Sequence, residues 1–210
     1  MMIVKTVPVC DAIETNAYFF IDEKTNHGFL IDPGAEADVL LDIITKNNWV
    51  IEKILITHGH FDHIGAVEEI HKKLHIPYII HVNGKKYLED PHYNLSFMGG
   101  GNIRLFDAEY VNDGAIICDE AQQIELQVIS APGHTEDGVI YYNKEQHIAF
   151  VGDTIFKHSI GRTDFPGGDM KTLYQTIQNK VFSLPDDTKL YSGHTDVTTV
   201  LDEKKYGFGL

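Results

Sequence analysis

The segment Thr57-His58-Gly59-His60-Phe61-Asp62-His63 places three imidazoles and a carboxylate within six residues, directly after the apolar run Ile54-Leu55-Ile56. A short apolar, β-branched run fits a buried strand, so the histidines are expected in the loop where that strand ends. This constrains the fold, because such side chains act together only when a rigid sheet presents the loop at one of its edges. Imidazole nitrogen and carboxylate oxygen at this density suit zinc or iron, and no thiolate accompanies them.

Three further strand ends carry the same chemistry. Residues 127–130 lead into Pro132-Gly133-His134-Thr135, residues 148–151 into Gly152-Asp153-Thr154, and residues 190–192 into Gly193-His194-Thr195. Each candidate ligand follows a glycine, which permits a tight bend and a close backbone approach to an ion. His58, His60, His63, His134 and His194, with Asp62 and Asp153, supply enough donors for two divalent ions. Zinc suits this donor set best, with iron or manganese as alternatives. Two such ions share a hydroxide and polarise a carbonyl, lowering the pKa of bound water from 15.7 toward about 7. Asp62 is the candidate to orient that hydroxide. Asp32, Thr57 and Thr154 are candidates to support the ligands, each with turn formation or strand-end capping as the plain alternative.

The remaining pattern is that of an α/β protein. Strands are expected over residues 3–9, 17–21, 28–31, 54–56 and 78–82, with helices over 37–47, from 64 to before Pro77, and over 84–88. A second series of strands follows at 115–118, 124–129, 139–142 and 147–151, then a helix over 170–182 and a strand at 189–191. The run Met98-Gly99-Gly100-Gly101-Asn102 lacks the lysine and the following helix of a phosphate loop and is read as a loop near the site. His71 and His75, four apart beside Lys72 and Lys73, read as solvated surface histidines. Cys10 and Cys118 are too few and too far apart for a disulfide framework and read as small buried apolar groups.

Seventeen basic against thirty-one acidic residues give a formal charge of -14, which disfavours nucleic acid and anionic membrane surfaces as partners. With no composition shift to mark a linker, residues 1–210 are expected to form a single domain with no separate C-terminal substrate-binding domain. The first residues do not read as an export signal, and a cytoplasmic location is expected.

The pattern His-x-His-x-Asp-His followed by His, Asp and His resembles the metallo-β-lactamase-fold hydrolases across essentially the whole chain. The resemblance implies an αβ/βα sandwich of two mixed β-sheets with outer helices and a binuclear site along one edge. It further implies that His58, His60 and His134 hold the first metal, that Asp62, His63 and His194 hold the second, and that Asp153 bridges them. Residues 150–156 and 159–169, which include Gly161-Arg162-Thr163-Asp164-Phe165-Pro166-Gly167-Gly168, together with Leu184-Pro185-Asp186-Asp187, are similar to the short relatives of glyoxalase II. That likeness implies hydrolysis of a thioester such as S-lactoylglutathione, or a related small acyl-thiol, with Arg162 near the substrate. Two departures stand out. The last ligand reads Gly-His-Thr rather than Gly-His-Gly, and the helical domain with which glyoxalase II binds glutathione has no counterpart in this chain, the basic tail 204–208 being a partial substitute. Persulfide dioxygenases with a single iron resemble the chain at Gly161–Phe165 as well and are the rival within the fold. A non-catalytic metal-binding protein is the rival outside it.

Overall fold

The computed structural model describes residues 1–207. Phe208, at the end of the basic tail, lies outside the described residues.

The chain opens with β1 (Met2–Cys10), β2 (Glu14–Asp22) and β3 (His27–Ile31), then α1 (Ala37–Asn47) and β4 (Val50–Leu55). α2 (Phe61–Ile64), α3 (Val67–Leu74), β5 (Tyr78–His81), α4 (Lys85–Glu89) and β6 (Glu109–Val111) follow. These strands form one six-stranded mixed sheet in the order β1 to β6, antiparallel through β3 and parallel beyond. The second sheet is built from β7 (Ile116–Cys118), β8 (Glu125–Ser130), β9 (Val139–Asn143) and β10 (Ile148–Gly152). After a small hairpin of β11 (Ile155–Phe156) and β12 (Ser159–Ile160) come α5 (Met170–Thr176), β13 (Lys189–Ser192), β14 (Thr198–Thr199) and α6 (Val200–Tyr206). β13 lies parallel to β10, and the sheet order is β14-β13-β10-β9-β8-β7.

Alternation along the strands explains the layering. In β2, Tyr18 and Phe20 point into the space between the sheets, while Phe19 and Ile21 pack outward with Leu40 and Ile44 of α1 and Ile70 of α3. In β10, Phe150 faces the first sheet, and Ala149 and Val151 face Leu173 and the helical turn beyond α5. Both sheets are therefore buried on two faces, which is why their central strands read as continuous apolar runs. This is the expected αβ/βα sandwich.

Several expectations are revised. The second helix begins at Val67 because the Ala66 N–H is taken by the Pro33 carbonyl at 2.9 Å. Asp62 and His63 lie on the short α2 rather than in a loop. The last predicted helix is α-helical only to Thr176 and widens to a π turn over Ile177–Val181, closed by Phe182 N–H to the Ile177 carbonyl at 2.9 Å. β6, the β11-β12 hairpin, β14 and α6 were not expected; the strands among them are two or three residues long and carry no detectable period. Cys10 is exposed and Cys118 half-buried, so neither is a core group. His71 is half-buried, its Nδ1–H donated to the Ile76 carbonyl at 2.7 Å.

Candidate metal centre

The carboxyl-terminal ends of β4, β8, β10 and β13 meet along one edge of the sandwich, and the seven candidate ligands gather there. Three groupings bring their donor atoms within 4.8 Å of one another: His58, His60 and His134; His58, His63 and Asp153; Asp62, His63 and His194. Hydrogen bonds across the sheets set this convergence. The Val139 N–H reaches the Thr57 carbonyl at 2.9 Å, and Tyr141 Oη donates to the Ile56 carbonyl at 2.8 Å. The His194 loop is held by the first sheet: Asn16 N–H bonds the Gly193 carbonyl at 2.7 Å, and its Nδ2 donates to the Ser192 and Thr195 carbonyls. Where the family pattern has a glycine, the Thr195 hydroxyl accepts the Lys157 N–H at 2.9 Å and bonds Ser192 Oγ at 2.8 Å, fastening this loop to the β11-β12 hairpin.

The glycines do what the sequence implied, in two ways. Gly133 and Gly152 hold φ of +135° and +50°, which side-chain-bearing residues rarely adopt. Gly193 is required by space, since a Cβ there would stand 2.3 Å from Asp153 Oδ1 and 2.7 Å from His63 Cε1.

All of the imidazoles but His60 are oriented by a partner outside the ligand set. His134 Nδ1 faces the Arg162 carbonyl at 2.7 Å and His194 Nδ1 faces the Glu14 carbonyl at 2.7 Å. A carbonyl only accepts, so both Nδ1 atoms carry hydrogen and both Nε2 atoms face the site. The Thr57 hydroxyl donates to Asp32 Oδ2 at 2.6 Å, and so accepts from His58 Nδ1 at 3.2 Å. His63 Nδ1 bonds Asp32 Oδ2 at 2.9 Å. Asp32 and Thr57 thus support the ligands. The Thr154 backbone N–H instead closes a turn onto the Val151 carbonyl at 3.1 Å, its plain alternative. His60 differs from the others in pointing Nδ1 inward, 3.1 Å from His58 Nε2 and 3.0 Å from His134 Nε2.

The donor set fits divalent cations. The Nε2 atoms of His58 and His134 converge on His60 Nδ1, which carries at most one proton to share between them. His60 Nε2, His63 Nε2 and Asp153 Oδ1 are buried without a hydrogen-bond partner, and unsatisfied buried polar atoms call for an explanation such as an ion. Asp153 spans both groups: Oδ1 lies 3.3 Å from His63 Nε2, and Oδ2 lies 3.2 Å from His194 Nε2 and 3.6 Å from His134 Nε2.

Proton affinities divide the centre into two halves. Burial, then the neighbouring imidazoles His63 and His60, push His58 well below the usual histidine value, and burial with His134 lowers His60 to about 3. Both of these imidazoles are therefore neutral. In the other half burial also opposes charge, but the nearby carboxylates override it. Asp32 and Asp153 hold His63 well above its usual value, and hydrogen bonds to Asp153 and Asp62 raise His194 to about 10. Burial alone would raise Asp62 and Asp153, yet His63 and the bonds from His194 keep both carboxyls low and ionised.

Three supporting residues were missed by sequence reasoning. Thr15 is buried and donates to Asp62 Oδ2 at 3.1 Å. Asn16 grips the His194 loop. Asp137 is buried and accepts the Gly59 N–H at 2.9 Å, fixing the backbone between His58 and His60. None has a local signal. Arg162 reaches the site through its carbonyl; its guanidinium lies over the Phe165 ring at 4.0 Å and forks onto Asp164 with two bonds of 2.7 Å. His158 is exposed and stacks on Tyr206. Lys204 of the tail pairs with Asp186 at 2.6 Å. Met98, in the expected glycine-rich loop, lines the cavity above the centre.

A two-sheet sandwich with such a cluster on its edge defines a class, the metal-dependent hydrolases of αβ/βα architecture. The model of the metallo-beta-lactamase superfamily matches residues 11–194, and the chain belongs to that superfamily. It is 36% identical over 206 residues, covering 94% of this chain and 95% of the relative, to the probable metallo-hydrolase YqgX of Bacillus subtilis. It is 32% identical over 207 residues, covering 97% and 96%, to the hydroxyacylglutathione hydrolase GloC of Haemophilus influenzae. Among solved structures it superposes on the B3 metallo-beta-lactamase BLEG-1 with a TM-score of 0.90 at 33% identity, covering 97% of each chain. It superposes on TTHA1623 in a di-iron-bound form with a TM-score of 0.84 at 30% identity, covering 97% of this chain and all of that one. No helix among the described residues is long and apolar enough to cross a membrane.

Proposed function

We propose that this protein hydrolyses a thioester or related acyl-thiol with two divalent metal ions. The observation that carries the reading is the pair of adjoining ligand clusters with Asp153 reaching into both. A mononuclear site would leave His63, Asp62 and His194 as an expensive buried polar group without a task. The likeness to GloC supports a thioester as substrate, and the di-iron form of TTHA1623 supports two metals while leaving iron beside zinc.

His58, His60 and His134 would hold one ion, Asp62, His63 and His194 the other, and Asp153 both. When bound, the pair supplies a nucleophile from water at neutral pH and a Lewis-acid contact for the carbonyl oxygen. The chain's own residues do the rest. Asp62, ionised and fixed by the Thr15 hydroxyl, accepts a hydrogen bond from the attacking water and sets its direction. The water oxygen joins the acyl carbon and the C–S bond breaks; one water proton leaves with the thiol, and the acid product releases the other to solvent. A thiolate is a good leaving group, so the reaction does not demand a strong general acid, in keeping with a site whose carboxylates are held ionised.

Elemental analysis of the purified protein, followed by assay on thioesters including S-lactoylglutathione, tests this. The expected outcome is two metals per chain and thioester cleavage, with Asp62→Ala losing turnover and metal together. One iron per chain with oxygen uptake on glutathione persulfide overturns it in favour of the dioxygenase, and the absence of turnover across thioesters and lactones leaves a binding protein. Full two-metal occupancy with unchanged turnover in Asp62→Ala would mean that Asp62 neither holds the second ion nor directs the water.

A further inference from the structure

A cavity of about 460 Å³ opens directly over the ligand cluster. Apart from the ligands themselves, Arg162 is the only polar side chain among the described residues lining it. Its walls are Ile13, Phe61, Met98, Phe156, Ile160 and Phe165. Aromatic members of the wall stand beside the ligands: the Phe165 ring centroid is 6.1 Å from that of His60, and the Phe156 ring is 5.8 Å from that of His194. Phe61 follows His60 in the chain. Farther out, Ile13 and Met98 are 46% and 61% exposed, large apolar side chains on a strongly anionic molecule.

Resting on the thioesterase reading, we propose that the acyl group of the substrate is apolar and uncharged, a medium-length alkyl or an aryl group. The substituent on a scissile carbonyl lies within a few bonds of the ligand atoms, where the wall is aromatic. A hydroxyl or carboxylate placed there would lose its water and, apart from the candidate ligands, find no hydrogen-bonding side chain except Arg162. The Arg162 fork is already closed on the Asp164 carboxylate at 2.7 Å through both Nε and Nη2, so its charge is matched within the protein. An alkyl or aryl group, by contrast, covers Phe61, Phe156 and Phe165 and draws the exposed Met98 and Ile13 out of water.

The test holds the thiol constant. Acetyl, lactoyl, butanoyl, hexanoyl, benzoyl and succinyl thioesters of N-acetylcysteamine are compared by kcat/KM, and non-hydrolysable ketone analogues of the same acyl groups are compared for binding by saturation-transfer NMR. The expected result is a rise of roughly three- to fourfold per methylene from acetyl to hexanoyl, with succinyl and lactoyl lowest. Phe165→Ala lowers the hexanoyl and benzoyl values about tenfold more than the acetyl value at unchanged metal content. Met98→Ala, at an exposed position that does not endanger folding, acts in the same direction. Lactoyl or succinyl cleaved as well as hexanoyl overturns the proposal while the hydrolase reading stands. If no thioester is cleaved, the hydrolase reading fails, and the ketone series still decides: binding that grows with chain length supports the apolar wall, and binding indifferent to it overturns the proposal.

Discussion

The imidazoles of this centre differ in what holds their protons, and this gives the metal-free protein a defined response to pH. His60, lowered to about 3 by burial and His134, binds fewer protons in the folded than in the unfolded chain between pH 3 and its ordinary value of 6.5. Stability therefore falls as pH drops through that window. His194, raised to about 10 against the opposing effect of burial by its bonds to Asp153 and Asp62, contributes stability that is complete below 6.5 and lost as pH rises through 10. Thermal melts of the metal-free protein are expected to peak near neutral pH and decline on both sides. Metal held as proposed would replace the protons on His63 and His194, so that its uptake above neutral pH releases protons and flattens the alkaline decline. Calorimetric titration in buffers of different ionisation enthalpy measures the release. Proton-neutral uptake contradicts the assignment.

At the scale of elements, the ends of four strands matter more than their lengths. β13 delivers His194 through Gly193, where an added Cβ would strike the Asp153 carboxylate and the His63 ring. Gly193→Ala is expected to lose one of the two proposed ions and to reduce turnover roughly 10- to 100-fold, as does disturbance of residues that orient metal ligands. Elemental analysis beside circular dichroism checks this, and retention of both ions with normal activity would show that the crowding is relieved elsewhere. α2 contributes differently. Placing Asp62 and His63 on a helical turn brings the His63 ring back against His58, centroids 4.1 Å apart, while Asp62 turns toward Thr15 and His194.

At the scale of the molecule, the site exists only while the sheets stay in contact. Phe150 lies at the junction, its ring 5.4 Å from Tyr18, 5.5 Å from Phe20 and 5.4 Å from Tyr191, drawing on both sheets. Phe150→Ala is expected to cost ~3–5 kcal/mol, roughly 6–20 °C in Tm. Differential scanning calorimetry measures it. A loss of less than about 1 kcal/mol would mean that the two sheets repack around the gap.

The candidate ligands were legible because each is local: an apolar run, a glycine and a donor residue lie together in the chain, and strand termination is written in short-range chemistry. The α/β pattern followed from the same runs and from the helical spacing of Val39, Leu40, Ile43 and Ile44 in α1, whereas the two-sheet sandwich was implied by the family resemblance. What holds the ligands was not legible. Thr15 meets Asp62 across 47 residues, Gly59 meets Asp137 across 78, and Asn16 meets Ser192 across 176. Such pairs depend on how β1 and β2 register and on how one sheet is laid over the other, which no periodicity within a segment encodes. Sequence alone therefore determined which atoms can bind metal. Tertiary structure decided which nitrogen of each imidazole faces inward, how the donors divide between two clusters, and that Arg162 turns its charge toward Asp164. Those choices are made by partners that packing brings from distant parts of the chain.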